Sequence, residues 1–303
     1  MKAWTHNGCK PLATKTVIAA ACMKVVHDKE KNIKSYLKFI KSAAKRKCNF
    51  IAFPECSLQG YTWSWDPIAF KYYEDAKQRL YFEENAETVP GPTTDLLTKE
   101  ASNYGMYVQF GLAEKASDAG GSEMFNSAVL VGPEGLVGKF RKVHMATSPI
   151  FSRGKEFPVF ETRLGKVGMI VCADLAYPES IRTLALHGAE MVANSTAWGM
   201  RGKNPKGDYS GYRYDIFGKA NAMMNQVWLI QSDQIGKATN SIEYCYGNSC
   251  IIDPAGYVVA STGYREGLAI AAVDIKAGIE RAQSHKYAGH KVLAGRRPEA
   301  YRL

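Results

Sequence analysis

GKVGMIVCADLAYPESIRTLALHGAEMVANSTAW (165–198) decides how this chain folds. Lys166–Val171 is a short apolar run rich in branched residues, which reads as a buried strand. Pro178 then stands at the start of a helix over Glu179–His187, where a fixed φ and a missing N–H do no harm. Met191–Asn194 is apolar again and reads as a second strand. Strands and helices that alternate this closely mark an α/β domain. Cys172 lies where the first strand turns towards the helix.

The same alternation runs outward in both directions. Towards the N-terminus, Val17–Val25 reads as a buried strand, and Ile33, Leu37, Ile40 and Ala44 repeat at helical spacing over Asp28–Lys47. Asn49–Phe53 is a short strand that stops at Pro54 and Glu55. Pro90–Pro92 breaks the chain before a helix over Thr94–Tyr104, and Met106–Leu112 follows as a strand. Asn126–Val131 and Leu136–Val143 flank Pro133-Glu134-Gly135, a turn in which proline presets one dihedral and glycine accepts the unusual one. Beyond the opening stretch, the pattern predicts a helix over Tyr214–Asn225, strands at Val227–Gln231 and Leu268–Val273, and a hairpin of Ser249–Asp253 with Tyr257–Ala260. The periodicity therefore predicts one α/β domain with a mixed sheet over residues 16–275. A short extension, 1–15, precedes it. The tail, 276–303, has little apolar periodicity and is expected to pack on a partner subunit or along the surface.

Composition narrows the function classes. At 303 residues, with 46% hydrophobic and 22% charged residues, the chain matches an ordinary globular protein. No run approaches the ~18 apolar residues of a membrane span. Met1 to Thr16 has no apolar core for a signal peptide, so a cytoplasmic address is expected. The seven cysteines are odd in number and form no C-x-x-C pair, which argues for free thiols over a disulfide framework. Cys245 and Cys250 have no histidine nearby and the wrong spacing for zinc, and no metal is expected. The net charge of +10 comes from dispersed residues, and the densest basic run, Lys41 to Lys47, falls at a helix end. A charge surplus so distributed does not point to nucleic acid.

Three residues carry candidate chemistry. Backbone amides at the turn after Val171 could stabilise both a Cys172 thiolate and an oxyanion. Glu55 stands just past a strand end, where open α/β proteins place functional groups. Lys142 shares one strand face with Phe140 and His144, and an inward lysine is costly to bury unpaired. Taken singly, each has a plainer reading: a small core thiol, a solvated loop acid, a lysine on a wet sheet face.

In order and with their neighbours, the three resemble the Glu–Lys–Cys set of the nitrilase superfamily of carbon–nitrogen hydrolases, in its amidase and carbamoylase-like branch. The matching pieces are FPECSLQGY (53–61), FNSAVLVGPEGLVGKFRKVHM (125–145), the opening stretch, and GNSCIIDPAGYVVA (247–260). The resemblance implies a four-layer α-β-β-α sandwich with two mixed sheets, paired into a homodimer or higher even oligomer. It also implies that Cys172 attacks a carbonyl carbon to form a thioester, with Glu55 as proton carrier. Lys142 and the Ala173 N–H would hold the oxyanion. No cofactor is implied.

The departures bear on substrate. Many relatives carry a second active-site glutamate after the lysine, yet His144 to Gly154 contains no acid. Relatives often show Arg-x-x-x-Glu-Asn in the later helix, where this chain has Lys219, Met224 and Asn225. Nitrilases typically place Trp-Glu after the cysteine. Here Ala173-Asp174 follows, which favours a small amide or N-carbamoyl compound over a nitrile. Tyr61, Trp63, Asp174 and Trp198 are the expected substrate-binding residues. Two other readings stay open: a Cys–His hydrolase with His144 as base, which lacks an evident orienting Asn or Asp, and a non-catalytic scaffold. An activated Cys172 would react with alkylating agents below the pH of an ordinary thiol.

Overall fold

Period-two alternation decides which core each strand residue enters. In β1 (Thr16–Cys22), Ile18 and Ala20 join one apolar cluster while Ala19 and Ala21 join another. The computed structural model describes residues 15–61, 76–116, 123–145, 150–200, 202–237, 244–284 and 291–301. The first cluster lies between two six-stranded sheets, and helices cover the outer faces.

The first sheet joins β1 to β2 (Phe50–Ala52), β3 (Tyr107–Lys115), β4 (Met124–Gly132), β5 (Gly135–Arg141) and β15 (Gly267–Val273), in the order β15-β1-β2-β3-β4-β5. The second comprises β6 (Val159–Thr162), β7 (Gly165–Val171), β8 (Met191–Thr196), β10 (Trp228–Asp233), β13 (Cys250–Ile252) and β14 (Val258–Ser261), in the order β14-β13-β10-β8-β7-β6. A small third sheet pairs β12 (Tyr244–Tyr246) with β11 (Ile235–Lys237) and β9 (Gly199–Met200). Strands β1, β2 and β3 are parallel, as are β7, β8 and β10. The remaining pairings in both large sheets are antiparallel.

Helix α1 (Lys29–Lys45) starts where the Asp28 carboxylate accepts the Lys31 N–H, satisfying one orphan donor of the first turn. It packs Tyr36 and Ile40 against the first sheet beside α3 (Pro92–Tyr104), which contributes Leu97 and Ala101. Helix α2 (Ala76–Asn85) lies near β3. On the far side, α4 (Pro178–Leu186) and α5 (Tyr209–Asn225) cover the second sheet with Ile181, Leu184, Tyr214 and Ala222. The layers run helix, sheet, sheet, helix, as the resemblance implied.

The periodicity alone predicts one mixed sheet, and the structure has two large ones beside the small third. Alternation reports which faces are buried, not which sheet a strand joins. With both faces covered, β4 is buried along its whole length and looks like any central strand. The start of the stretch read as a tail, 276–303, lies in α6 (Ile275–Ala282). That helix is held by a hydrogen bond from the Trp228 indole to the Ile275 carbonyl, and Gly278 leaves room for the same ring.

Candidate active site

The carboxyl ends of the parallel strands meet at one rim of the sandwich. Glu55 follows β2, Cys172 follows β7 and Ala197 follows β8. Two antiparallel steps from β3 bring β5 back to the same direction, so Lys142 leaves its sheet at that rim too. Such strand ends are where α/β proteins gather functional groups, because the loops there are free of sheet pairing.

Glu55 is fully buried. Its Oε1 accepts hydrogen bonds from the Lys142 ammonium at 2.5 Å and from the Asn126 amide at 2.7 Å. Its Oε2 accepts the Ala197 N–H at 3.0 Å. Main-chain bonds fix its backbone: its N–H reaches the Thr196 carbonyl, and its own carbonyl accepts from the Gln234 amide. These five partners come from four segments, with Thr196 and Ala197 adjacent at the end of β8. A buried carboxylate so enclosed has little freedom to leave its neighbours.

Lys142 is 1% exposed. Burial opposes its charge, but the Glu55 carboxylate, Tyr61 and Cys172 outweigh that cost and hold its pKa well above the ordinary lysine value. Its ammonium also lies 5.6 Å from the centre of the Tyr61 ring. Cys172 is the one of the three with surface left open. Burial first, and then the Glu55 carboxylate, push its thiol pKa well above normal; Lys142 and the Ala197 N–H pull the other way. The Glu55 carboxylate lies near enough to the thiol to act on its proton. A thiol so placed holds its proton, because burial and the adjacent carboxylate both act against the thiolate. Its activation requires a base within reach, and Glu55 is within reach.

Cys172 has φ 49°, the left-handed region that non-glycine residues seldom occupy, at a cost of order 1–3 kcal/mol. Its N–H donates to Asn194 Oδ1 at 3.1 Å, and Ala173 follows, half-buried, in a 3-10 turn over Cys172–Ala176. The geometry thus brings together Glu55, Lys142, Cys172 and Tyr61. The Tyr61 hydroxyl is buried with no hydrogen-bond partner among the described residues.

The other expected residues sit differently. Asp174 is fully buried, and its oxygens accept from Val171, from the His144 N–H and from the His144 ring. Trp198 donates its indole N–H to the Ser210 carbonyl and packs against Tyr214, inside the core under α5. Trp63 lies outside the described residues.

Sequence reasoning missed Asn126, Ala197 and Asp233. Asn126 is a polar side chain at a buried register of an apolar strand, a signal the sequence did carry. Ala197 acts through its N–H and leaves no trace in its side chain. Asp233 accepts from the Trp198 and Gly247 N–H groups and from the Thr196 hydroxyl, which holds the Ala197 turn in place. No acid replaces the missing glutamate among the described residues: Lys142 pairs with Glu55, and the amide of Asn126 takes the neighbouring position. No group of three His, Cys, Asp or Glu residues that could hold a metal ion occurs among them either.

The carbon–nitrogen hydrolase family profile matches residues 17–283. The chain belongs to the carbon–nitrogen hydrolase family. It is 30% identical to a nitrilase of Pyrococcus abyssi, over 81% of this chain and 84% of that one. It is 28% identical to the N-carbamoylputrescine amidase of Solanum lycopersicum, over 94% of this chain and 93% of that one. The fold is shared with Saccharomyces cerevisiae Nit3, a branch 10 member of the nitrilase superfamily, with TM-score 0.74 and 23% identity over 91% and 96% of the two chains. Family membership carries the reaction class with it, hydrolysis of a carbon–nitrogen bond.

Proposed function

We propose that this enzyme hydrolyses a small amide or N-carbamoyl compound, with Cys172 as nucleophile, Glu55 as proton carrier and Lys142 as oxyanion partner. The observation that carries this reading is the buried Glu55 carboxylate, bonded to the Lys142 ammonium and near enough to the Cys172 thiol to raise its pKa. Glu55 takes the proton from sulfur as sulfur bonds to the carbonyl carbon. The oxygen gains negative charge beside Lys142 and the Ala173 N–H, each such donor being worth roughly 2.7–4 kcal/mol. Collapse breaks the carbon–nitrogen bond, and the nitrogen leaves with the proton from Glu55. Water then gives its proton to Glu55, attacks the thioester and releases the acid, and the proton returns to sulfur.

The enclosed Tyr61 hydroxyl fits a donor to a polar group of the bound acyl or carbamoyl moiety. No disulfide joins the six described cysteines, which fits the reducing cytoplasm that the sequence suggests. An even-numbered homo-oligomer belongs to the same reading. Tyr209, Tyr212, Ile216 and Met223 recur on one face of α5 and are all exposed, an apolar stripe of the kind a second subunit covers.

A panel of amides, N-carbamoyl compounds and nitriles, scored for released ammonia, tests the function. The parent is expected to act on an amide or carbamoyl compound, and Cys172→Ala to abolish turnover without loss of fold. Turnover of nitriles alone would favour the activity named for the Pyrococcus relative. Hydrolysis by Cys172→Ala within tenfold of the parent would sink the mechanism.

A further inference from the structure

We infer that Asp174 and His144 form a positioning pair that sets Lys142 against Cys172, an inference that rests on the roles proposed above. Asp174 lies two residues past the cysteine, and His144 two residues past the lysine. One Asp174 oxygen accepts the Val171 N–H at 3.0 Å, at the residue before the nucleophile. The other accepts the His144 N–H at 2.8 Å and the His144 ring Nδ1 at 2.8 Å. A single fully buried carboxylate therefore ties the lysine segment to the cysteine turn.

The imidazole is locked from outside. It stacks on Tyr177, with ring centres 3.8 Å apart and planes 10° from parallel, and Phe157 lies on it at 6.1 Å. The Ser180 hydroxyl is 3.5 Å from the same Nδ1. Tyr177 and Ser180 flank the start of α4, so the pair also anchors the helix that follows the nucleophile. Here is an Asp–His pair close to a reactive cysteine, yet the ring's Nδ1 is engaged by Asp174 and Ser180, and the groups that act on the thiol are Glu55, Lys142 and the Ala197 N–H. The imidazole does not serve the sulfur as base. It holds the frame on which lysine and cysteine face each other.

The cysteine turn needs such a hold, because its left-handed φ relaxes unless neighbours fix it. Displacements of about 1 Å at reacting groups can cost a hundredfold in rate. Positioning acts on kcat and leaves KM nearly alone, since the Asp174 carboxylate is fully buried and the His144 Nδ1 is taken by it.

Single-turnover acylation and steady-state kinetics on four variants provide the test, each with its thermal midpoint measured. His144→Ala removes one of the three bonds and is expected to lower the acylation rate about tenfold, with KM within about threefold. His144→Asn places an amide donor where Nδ1 stood and is expected to recover most of that loss. Asp174→Asn turns an acceptor towards N–H groups as a donor and is expected to cost about a hundredfold. The double variant His144→Ala/Asp174→Asn is expected to be no slower than Asp174→Asn, because both act through one contact. Should Asp174→Asn fail to fold, His144→Ala against His144→Asn decides the matter. Parental kcat in the folded variants, a change carried by KM, or failure of Asn to restore what Ala loses would each overturn the pair. Those outcomes leave the nucleophile standing as long as Cys172→Ala is inactive; turnover by Cys172→Ala removes the function itself.

Discussion

At the scale of single residues, the site rests on one buried ion pair whose partners cannot be exchanged. Lys142 and Glu55 have no exposed side-chain surface, and their attraction offsets the burial of both charges. Lys142→Met leaves Glu55 buried without its cation, a change that elsewhere costs about 3–5 kcal/mol. Lys142→Arg keeps the charge, but a planar fork does not fit where a compact ammonium sits 2.5 Å from the carboxylate. Both variants are expected to lose at least about a hundredfold in first-order rate, as befits a donor used in the transition state. Single-turnover kinetics checks this, and near-parental rates for Lys142→Arg would leave the lysine as scaffold. The raised thiol pKa adds a second consequence at this scale: because the proton rests on sulfur, turnover depends on Glu55 being ready to take it.

At the scale of elements, the sequence shows its local signals clearly and its long-range ones poorly. Pro92, Pro178 and Asp28 mark helix starts, and Pro133-Glu134 turns the hairpin of β4 and β5 as read. Helix α5 begins at Tyr209 and not Tyr214 because the Asp208 carboxylate caps it, accepting the Gly211 N–H. Strand β6 was not seen, since it is short and only partly buried. The three catalytic candidates were legible because their side-chain types stand in recognisable settings. Ala197 and Asp233 were not, because their value lies in partners far along the chain, and the buried polar signal at Asn126 does not name Glu55 as its partner. Gly111 on β3 belongs with these. A Cβ there would stand 2.5 Å from the Pro54 carbonyl oxygen, 2.8 Å from the Cys56 nitrogen and 3.0 Å from the Glu55 Cα. All three are backbone atoms, so no side chain can swing aside. Gly111→Ala is expected to push the Glu55 loop off the strand and cut kcat about tenfold or more while the sheet still forms. Kinetics paired with circular dichroism would show it, and parental kcat would mean that the loop yields without moving the carboxylate.

At the scale of the whole molecule, the two large sheets repeat one design. Read as β15-β1-β2-β3-β4-β5 and β6-β7-β8-β10-β13-β14, their pairings follow the same sequence of antiparallel, parallel, parallel, antiparallel, antiparallel. The site forms where the parallel centres of both halves end, so anything that loosens the segments crossing that rim is felt by the fold and the chemistry together. His27 sits at such a crossing. Its ring stacks on Tyr81 of α2 with centres 4.5 Å apart, meets Phe82 edge-on at 6.3 Å, and lies over Gly60, where a Cβ would approach it to 2.6 Å. Burial holds its pKa down, from 6.5 to about 4. A depressed folded-state pKa gives stability that is present above 6.5 and lost as pH falls through about 4, because the unfolded chain takes up the proton first. Allowing for its partial exposure, the loss is on the order of 2 kcal/mol. His27→Phe keeps a stacking ring and cannot be protonated, so its melting temperature is expected to fall less steeply than the parent's between those two pH values. Thermal melts at half-unit pH steps compare the slopes, and parallel slopes for parent and variant would show that the acid sensitivity of this fold lies elsewhere.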